Sequence, residues 1–194
     1  MVEASSSPGR ADAQRNRQRL IDAAVAAFSS GQGPVVLEQI ARDAGVGIGT
    51  LYRHFPSREA LVEAVYGNEL ARLCRSAEQL LALQAPDDAL HAWMQGYVEF
   101  VRTKRGMGDT LRAAMTSGSI TFSQTRATLI AAIQTLLDAG AAAGTLRADV
   151  PADDVCAALV GVVLAAGAPH QHDQALRLLD LLMDGLRAPP DCRG

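Results

Sequence analysis

Residues 37–55, LEQIARDAGVGIGTLYRHF, set two short apolar-periodic segments on either side of a glycine-rich break. Two helices that cross steeply over a tight turn need a small residue where they come closest, and Ala41 supplies it. Four residues later the turn needs a residue that takes positive φ without a Cβ clash, and Gly45 stands there. Ile40, Ala44, Val46, Leu51 and Phe55 recur at the spacing that points inward from both segments. The pattern predicts helices at about 37–44 and 48–55, joined as a helix-turn-helix. With those positions committed to a core, the second helix turns Gly47, Ile48, Gly49, Thr50, Arg53 and His54 outward, with Tyr52 at the edge of that face.

The rest of the chain reads as helix. Leu20, Ile21, Ala24, Val25 and Phe28 share one face of a first helix over about 12–30, with Asp12 as its N-cap, and Gly31-Gln32-Gly33-Pro34 stops it. Residues 1–11, rich in Ser, Gly and Pro, read as a loose arm. After Pro56, Ser57 caps a long helix with Leu61, Val62, Val65, Tyr66, Leu70 and Leu73 on one side, and Glu59 in its first turn suits the helix dipole. Further helices are predicted at about 87–104, 107–117, 121–143, 152–167 and 172–187. Gly and Pro mark their joints, and residues 189–194 form a flexible tail. No strand pattern or internal repeat stands out. Ala and Leu dominate the chain and only 4% of it is aromatic, a balance that favours helix. The expected fold is all-α with about nine helices: a three-helix head over 12–58 and a helical body over 59–188.

Bulk properties exclude several classes. No apolar run reaches the ~18 residues of a bilayer span, and the N-terminal stretch lacks the apolar segment of a secretory signal. Cys74, Cys156 and Cys192 are odd in number and far apart, which fits a reduced cytoplasm and argues against a disulfide framework or a zinc site. His170-Gln171-His172 lacks ligand spacing and reads as a solvated turn. No metal, cofactor or catalytic constellation is expected, and Ser117-Gly118-Ser119 carries no triad signature. Gly45-x-Gly47-x-Gly49 has neither a preceding strand nor a following GK[ST], so it is not a phosphate loop. The net charge of -3 gives no support to nucleic-acid binding. The cluster Arg10, Arg15, Arg17 and Arg19, taken alone, reads as a solvated basic tail.

The outward face of the second helix nevertheless suits a DNA major groove. Small residues at its start let the backbone approach base edges. Thr50, Tyr52 and His54 carry groups that donate to phosphate oxygens, Arg53 reaches a base edge or a phosphate, and Ile48 can meet a thymine methyl. Taken singly, Tyr52 reads as a half-buried core aromatic and His54 as a satisfied histidine. The ordered set of Ala41, Gly45, Leu51 and Phe55 beneath a polar face is what sets this segment apart.

The segment resembles the tetracycline-repressor (TetR/AcrR) family of bacterial regulators. The matching text is AAVAAF in the first helix and IARDAGVGIGTLYRHFPSREALVEAVY over residues 40–66, and a weaker likeness covers 144–155. The resemblance implies a DNA-binding head on a ligand-binding body, acting as a homodimer on a palindromic operator in double-stranded DNA, usually as a repressor released by a small-molecule inducer. By position it implies DNA contacts from Gly47, Ile48, Thr50, Tyr52, Arg53 and His54, a phosphate contact from Arg58, and a further contact from Arg42. Val35-Val36 departs from the Ser or Thr cap common in relatives. Gly47-Ile48 replaces their Ser followed by Lys or Arg.

In the body, apolar stripes at Val155, Leu159, Val162, Val163 and Ala166, and at Leu176, Leu179, Leu182, Met183 and Leu186, fit either a monomer core or the interface of a dimer. A helix-turn-helix monomer contacts too few base pairs to select one genomic site, so Leu159, Val162, Val163, Leu176, Leu179, Leu182, Met183 and Leu186 are expected at a dimer interface. Trp93, Tyr97, Phe100, Met115 and Phe122 gather, with Met94 and Met107, in helices expected to enclose a ligand, although an ordinary core fits each as well. Two other classes remain open: an enzyme, for which no motif speaks, and a degenerate relative that binds a ligand or partner without touching DNA.

Overall fold

The computed structural model describes residues 8–30, 35–166 and 169–188, without the side chains of residues 8–10, Phe122 and Pro169. Residues 1–7 of the expected arm over 1–11, the stop at 31–34, the tail at 189–194 and Cys192 lie outside the described residues. Nine α-helices are described: α1 Pro8–Ser30, α2 Leu37–Asp43, α3 Ile48–His54, α4 Arg58–Leu81, α5 Pro86–Gly106, α6 Gly108–Thr116, α7 Phe122–Ala142, α8 Ala152–Ala165 and α9 His172–Leu186. A single 3-10 turn, Pro169–Gln171, precedes the last.

The first helix starts four residues earlier than its sequence suggests. Pro8 opens it, at a position where a missing N–H costs nothing, so residues 8–11 are helical. Asp12 lies within the first turns and pairs with Arg15, one turn on, instead of capping. The start of α4 follows its sequence: the Ala60 N–H donates to Ser57 Oγ at 3.2 Å, an N-cap bond. Hydrogen bonds from its own backbone N–H and from the Ser57 hydroxyl hold the Glu59 carboxyl below its ordinary value.

The helices gather into two compact units. Among the described residues, the first comprises those up to Asn68 with 103–120, and the second those over 69–102 and from Thr121 onward. Helices α4 and α5 each contribute to both. In the first unit α1, α2 and α3 pack on one another through Leu20, Ile21, Ala24, Phe28, Ile40, Ala41, Leu51 and Phe55, all buried. Leu61, Val62, Val65 and Tyr66 of α4 and Leu111 and Ala114 of α6 are buried in the same unit.

The end of α5 and α6 are clamped onto this head at several points. Ser29 and Thr103 share a hydroxyl hydrogen bond of 2.8 Å, Ser119 donates to Glu63 at 2.6 Å, and Lys104 stands 5.9 Å over the Tyr66 ring. Burial pushes the Lys104 ammonium below its ordinary pKa. Among the glycines of the described residues, the tightest approach is at Gly106, where an added Cβ would overlap the Phe28 carbonyl oxygen.

In the second unit α7 packs on α8 and α8 on α9. Polar contacts join α5 to α9 and its C-cap in antiparallel order: the ion pair Asp87–Arg187 at 3.8 Å, His91 Nε2 3.0 Å from Asp180 Oδ1, and His172 Nδ1 3.8 Å from Glu99 Oε1. An isolated antiparallel bridge between Leu146 and Arg187 ties the turn before α8 to the end of α9, through Arg147 N–H to Leu186 carbonyl at 2.9 Å and Ala188 N–H to Thr145 carbonyl at 3.0 Å. Glu69, on the expected apolar side of α4, is only 4% exposed and accepts two hydrogen bonds from Arg72, whereas Leu70 is only half-buried. No helix among the described residues is long and apolar enough to cross a membrane.

Because the Gly106 contact is to backbone, Gly106→Ala should destabilise by about 1–3 kcal/mol. At roughly 2–4 °C per kcal/mol, thermal melting should show a clear fall in Tm. Gly67→Ala, where a Cβ meets open space inside α4, should leave Tm unchanged or raise it, so the pair reads the contact against helix propensity.

Candidate nucleic-acid interface

Helix α3 is held from below. Leu51 and Phe55 are buried, and the Arg17 guanidinium of α1 covers the Phe55 ring at 5.2 Å from its centroid. The turn between α2 and α3 closes with Val46 N–H to the Ala41 carbonyl at 3.0 Å and Gly45 N–H to the Arg42 carbonyl at 2.9 Å. Gly45 takes φ 65°, the left-handed conformation that a Cβ disfavours. Ala41 is buried at the crossing, and Val46 is half-buried.

The opposite face is open. Gly47, Ile48, Gly49, Tyr52 and Arg53 are exposed, with Thr50 and His54 half-buried at its margins. Ile48 and Tyr52 leave 37% and 46% of their surface in water. A Cβ at Gly47 or Gly49 would meet no atom within 4 Å. Packing therefore requires neither glycine, and Gly49 in a helix costs about 1 kcal/mol relative to Ala. Their missing side chains keep the backbone low between Ile48 and Tyr52, as close approach to another molecule requires. Arg53 folds back along the helix, its Nε donating to the Gly49 carbonyl at 3.1 Å and its Nη2 to Thr50 Oγ1 at 3.3 Å.

Two arginines tied to this face by resemblance differ in setting. Arg42 is exposed on α2 and donates to Gln39 Oε1 at 2.6 Å. Arg58 is half-buried; its Nη1 donates to the Val35 carbonyl at 2.6 Å and its Nε to Thr110 Oγ1 at 3.3 Å. One basic residue had no signal of this kind in the sequence. Arg17 belongs to the cluster read as a solvated tail, yet it lies on α1 against Phe55 and lines a hollow with Ala13, Gln14, Gln18 and His54. Its neighbour Arg19 bonds Asn16 along the same helix. Only the α1–α3 crossing reveals that this arginine flanks the exposed helix.

A family model described as "Bacterial regulatory proteins, tetR family" matches residues 20–65. A second, "Transcriptional regulator SbtR-like, C-terminal domain", matches residues 85–188, more than half of the chain. The chain belongs to the tetR family.

Members of this family are DNA-binding transcriptional regulators, with the all-α fold seen here. A TetR transcriptional regulator from Streptomyces coelicolor is similar at 48% identity, over 90% of this chain and 99% of its own, with a TM-score of 0.82. A TetR transcription regulatory protein from Mycobacterium vanbaalenii is similar at 34% identity, over 93% of this chain and all of its own, with a TM-score of 0.72. The HTH-type transcriptional repressor KstR of Mycobacterium tuberculosis is 37% identical over 73 residues, which span 37% of this chain and 33% of that repressor.

In this tetR-family chain the body residues singled out from sequence fall into distinct settings. Trp93, Tyr97 and Phe100 are buried in the second unit. Trp93 Nε1 donates to the Leu73 carbonyl at 2.8 Å, and the Trp93 and Tyr97 rings stack at 6.5 Å. Met115 is half-buried on α6 of the first unit, and the side chain of Phe122 lies outside the described residues. Leu159, Val163, Leu179, Met183 and Leu186 are buried within their own protomer, where α7, α8 and α9 pack. The densest apolar stripe of each helix is thus already packed within the protomer. Val162, Leu176 and Leu182 are half-buried. The apolar residues left in water are others, Leu164 at 77% and Leu181 at 68% exposure, with Ala157, Gly161, Ala165 and Gly185 exposed on the same two helices.

Burial pushes the Cys74 and Cys156 thiols above their ordinary values, away from the thiolate that reactivity needs. No group of three candidate metal ligands occurs among the described residues.

Gly49→Ala should preserve or raise Tm, because it adds helix propensity in open space, while weakening DNA binding by crowding the exposed backbone. Melting and gel-shift titration of the same preparation would separate the two effects. Unchanged DNA affinity would remove Gly49 from the interface.

Proposed function

We propose that this protein is a homodimeric transcriptional regulator, acting as a repressor, that lays α3 of each protomer into the major groove of a palindromic operator. The observation that carries this reading is the exposed α3 face. Ile48 and Tyr52 stand in water around two glycines that packing does not need, on a helix whose underside is locked by Leu51 and Phe55. In this reading Thr50, Tyr52, His54 and Arg42 hold phosphates, Arg53 reaches a base edge or phosphate, and Gly47 and Ile48 meet the bases. Arg17, beside His54, adds a cation at the same margin.

The head over 12–58 reads DNA, and the body over 59–188 carries dimerisation and an inducer site. Trp93, Tyr97 and Phe100, gathered in the second unit, are the residues proposed for that site, and their chemistry suits a small apolar molecule. A soluble cytoplasmic location and the lack of any catalytic role follow from the same reading.

For the dimer the exposed apolar strip of α8 and α9 is the better surface. Leu164 and Leu181 gain burial only from a second molecule, each worth about 1.5–3 kcal/mol on full burial, and the small residues around them permit close helix approach. A dimer presents two recognition helices about one DNA turn apart, ~34 Å. Leu164→Asp with Leu181→Asp should shift the protein to a monomer in sedimentation and weaken operator binding by at least ~100-fold, since half of the site is lost. A dimer that persists in this variant would place the interface elsewhere.

The deciding experiment is selection of genomic fragments by the purified protein, followed by gel shift at several salt concentrations. A palindrome bound by one dimer, with affinity falling steeply as salt rises, is the expected result. Thr50→Ala combined with Tyr52→Phe should weaken that complex about tenfold or more without altering dimerisation. A folded dimer that enriches nothing at low salt would instead support a relative that binds a ligand or partner without touching DNA.

A further inference from the structure

We infer that Arg58 is a positioning residue of the helix-turn-helix, joining α6 to the entry of α2, and is not a phosphate contact; the inference rests on the operator-binding reading above. The need for such a residue is visible at the start of α2. Helix α2 has seven residues, and its N-cap Val36 offers no side-chain hydrogen bond. The Val36 carbonyl serves its first turn, accepting from Gln39 and Ile40 N–H at 3.1 and 3.2 Å. A helix this short is not stable alone, so tertiary contacts must set where it begins. Ile40 and Ala41 fix its inner side.

The contact at its entry is the Arg58 Nη1 bond to the Val35 carbonyl, 2.6 Å long and charge-assisted. The same guanidinium reaches Thr110 of α6 through Nε at 3.3 Å. One planar group thus spans the first residue of α4, the residue before the α2 cap, and α6. From Val35 the constraint passes along α2 to Ala41, whose carbonyl accepts the Val46 N–H of the turn, and so to α3. A guanidinium half-buried and spent on two internal acceptors has lost much of its reach toward a phosphate. Lysine cannot replace it, because a single ammonium lacks the two divergent donors of the fork.

The two roles differ in their salt dependence. A lost phosphate contact flattens the slope of log affinity against log salt by ~0.9. A lost positioning contact lowers affinity for the chosen sequence and leaves that slope in place. The probe is the duplex recovered by the wild-type dimer from a randomised pool, measured beside a scrambled duplex of equal length.

Arg58→Lys should bind the selected duplex about tenfold more weakly, the scale of one charge-assisted hydrogen bond. Its salt slope and its affinity for the scrambled duplex should match wild type. Thr110→Val should weaken the selected complex several-fold in the same sense, and Thr110→Ser, which keeps the hydroxyl, should restore it. The Thr110 pair carries the test if either Arg58 variant fails to fold. Wild-type affinity for Arg58→Lys, a slope flatter by ~0.9 in Arg58→Ala, or wild-type affinity for Thr110→Val would each overturn the inference. Failure of the wild-type dimer to recover any duplex would instead overturn the operator reading, and this inference with it.

Discussion

Seven residues are too few for an α-helix to persist in water by itself, and the head of this protein presents its surface on two such helices. Their existence depends on the apolar contact beneath them. Leu51 of α3, its C-cap Phe55, and Ile40 and Ala41 of α2 are buried with Leu20, Ala24 and Phe28 of α1. That burial fixes α3 in rotation as well as in place. Once Leu51 and Phe55 point inward, the 3.6-residue period sends Gly49 and Arg53 to the opposite side, and Ile48 and Tyr52, at the margins of the inward set, stay exposed. The exposed face is therefore a consequence of the core, and its chemistry can vary without cost to the fold as long as the underside is kept.

The glycines of the head show how one residue type serves opposed physical ends. Gly45 is required by backbone conformation, with φ at 65°. Gly106 is required by proximity, since any side chain there would enter the Phe28 carbonyl. Gly47 and Gly49 satisfy neither need, and Gly49 is unfavourable inside a helix. A residue that weakens its own element without helping the packing points to a demand from outside the chain. In the operator-binding reading proposed above, that demand is the approach of DNA to α3.

Much of this is legible in the sequence. Local rules placed the joints between helices, because Pro, Gly and capping residues act within a few positions of where they stand. The Ser57 cap, the positive φ of Gly45 and the inward set of the helix-turn-helix all belong to this class. The body was harder to read. Helices α8 and α9 are apolar over much of their circumference, so periodicity identifies their richest stripe without saying what covers it. In the folded chain α7, α8 and α9 use Leu159, Val163, Leu179, Met183 and Leu186 among themselves. Leu164 and Leu181, which broke the expected pattern, are left in water. Arg17 is ambiguous for a related reason: a charge run looks the same whether it faces solvent alone or flanks another helix.

By itself the sequence determined the all-α class, the order and approximate ends of the helices, and the outward face of α3. Each of these follows from interactions between residues a few positions apart, where spacing is geometry. Only the tertiary structure decided what distant segments do to one another. It placed Arg58 between Val35 and Thr110, Gly106 against Phe28, Arg17 over Phe55, and the densest leucine stripes inside the protomer. Those outcomes depend on which helix faces join among many of similar apolarity. That choice is made by the packing of the whole chain, and no window of sequence contains it.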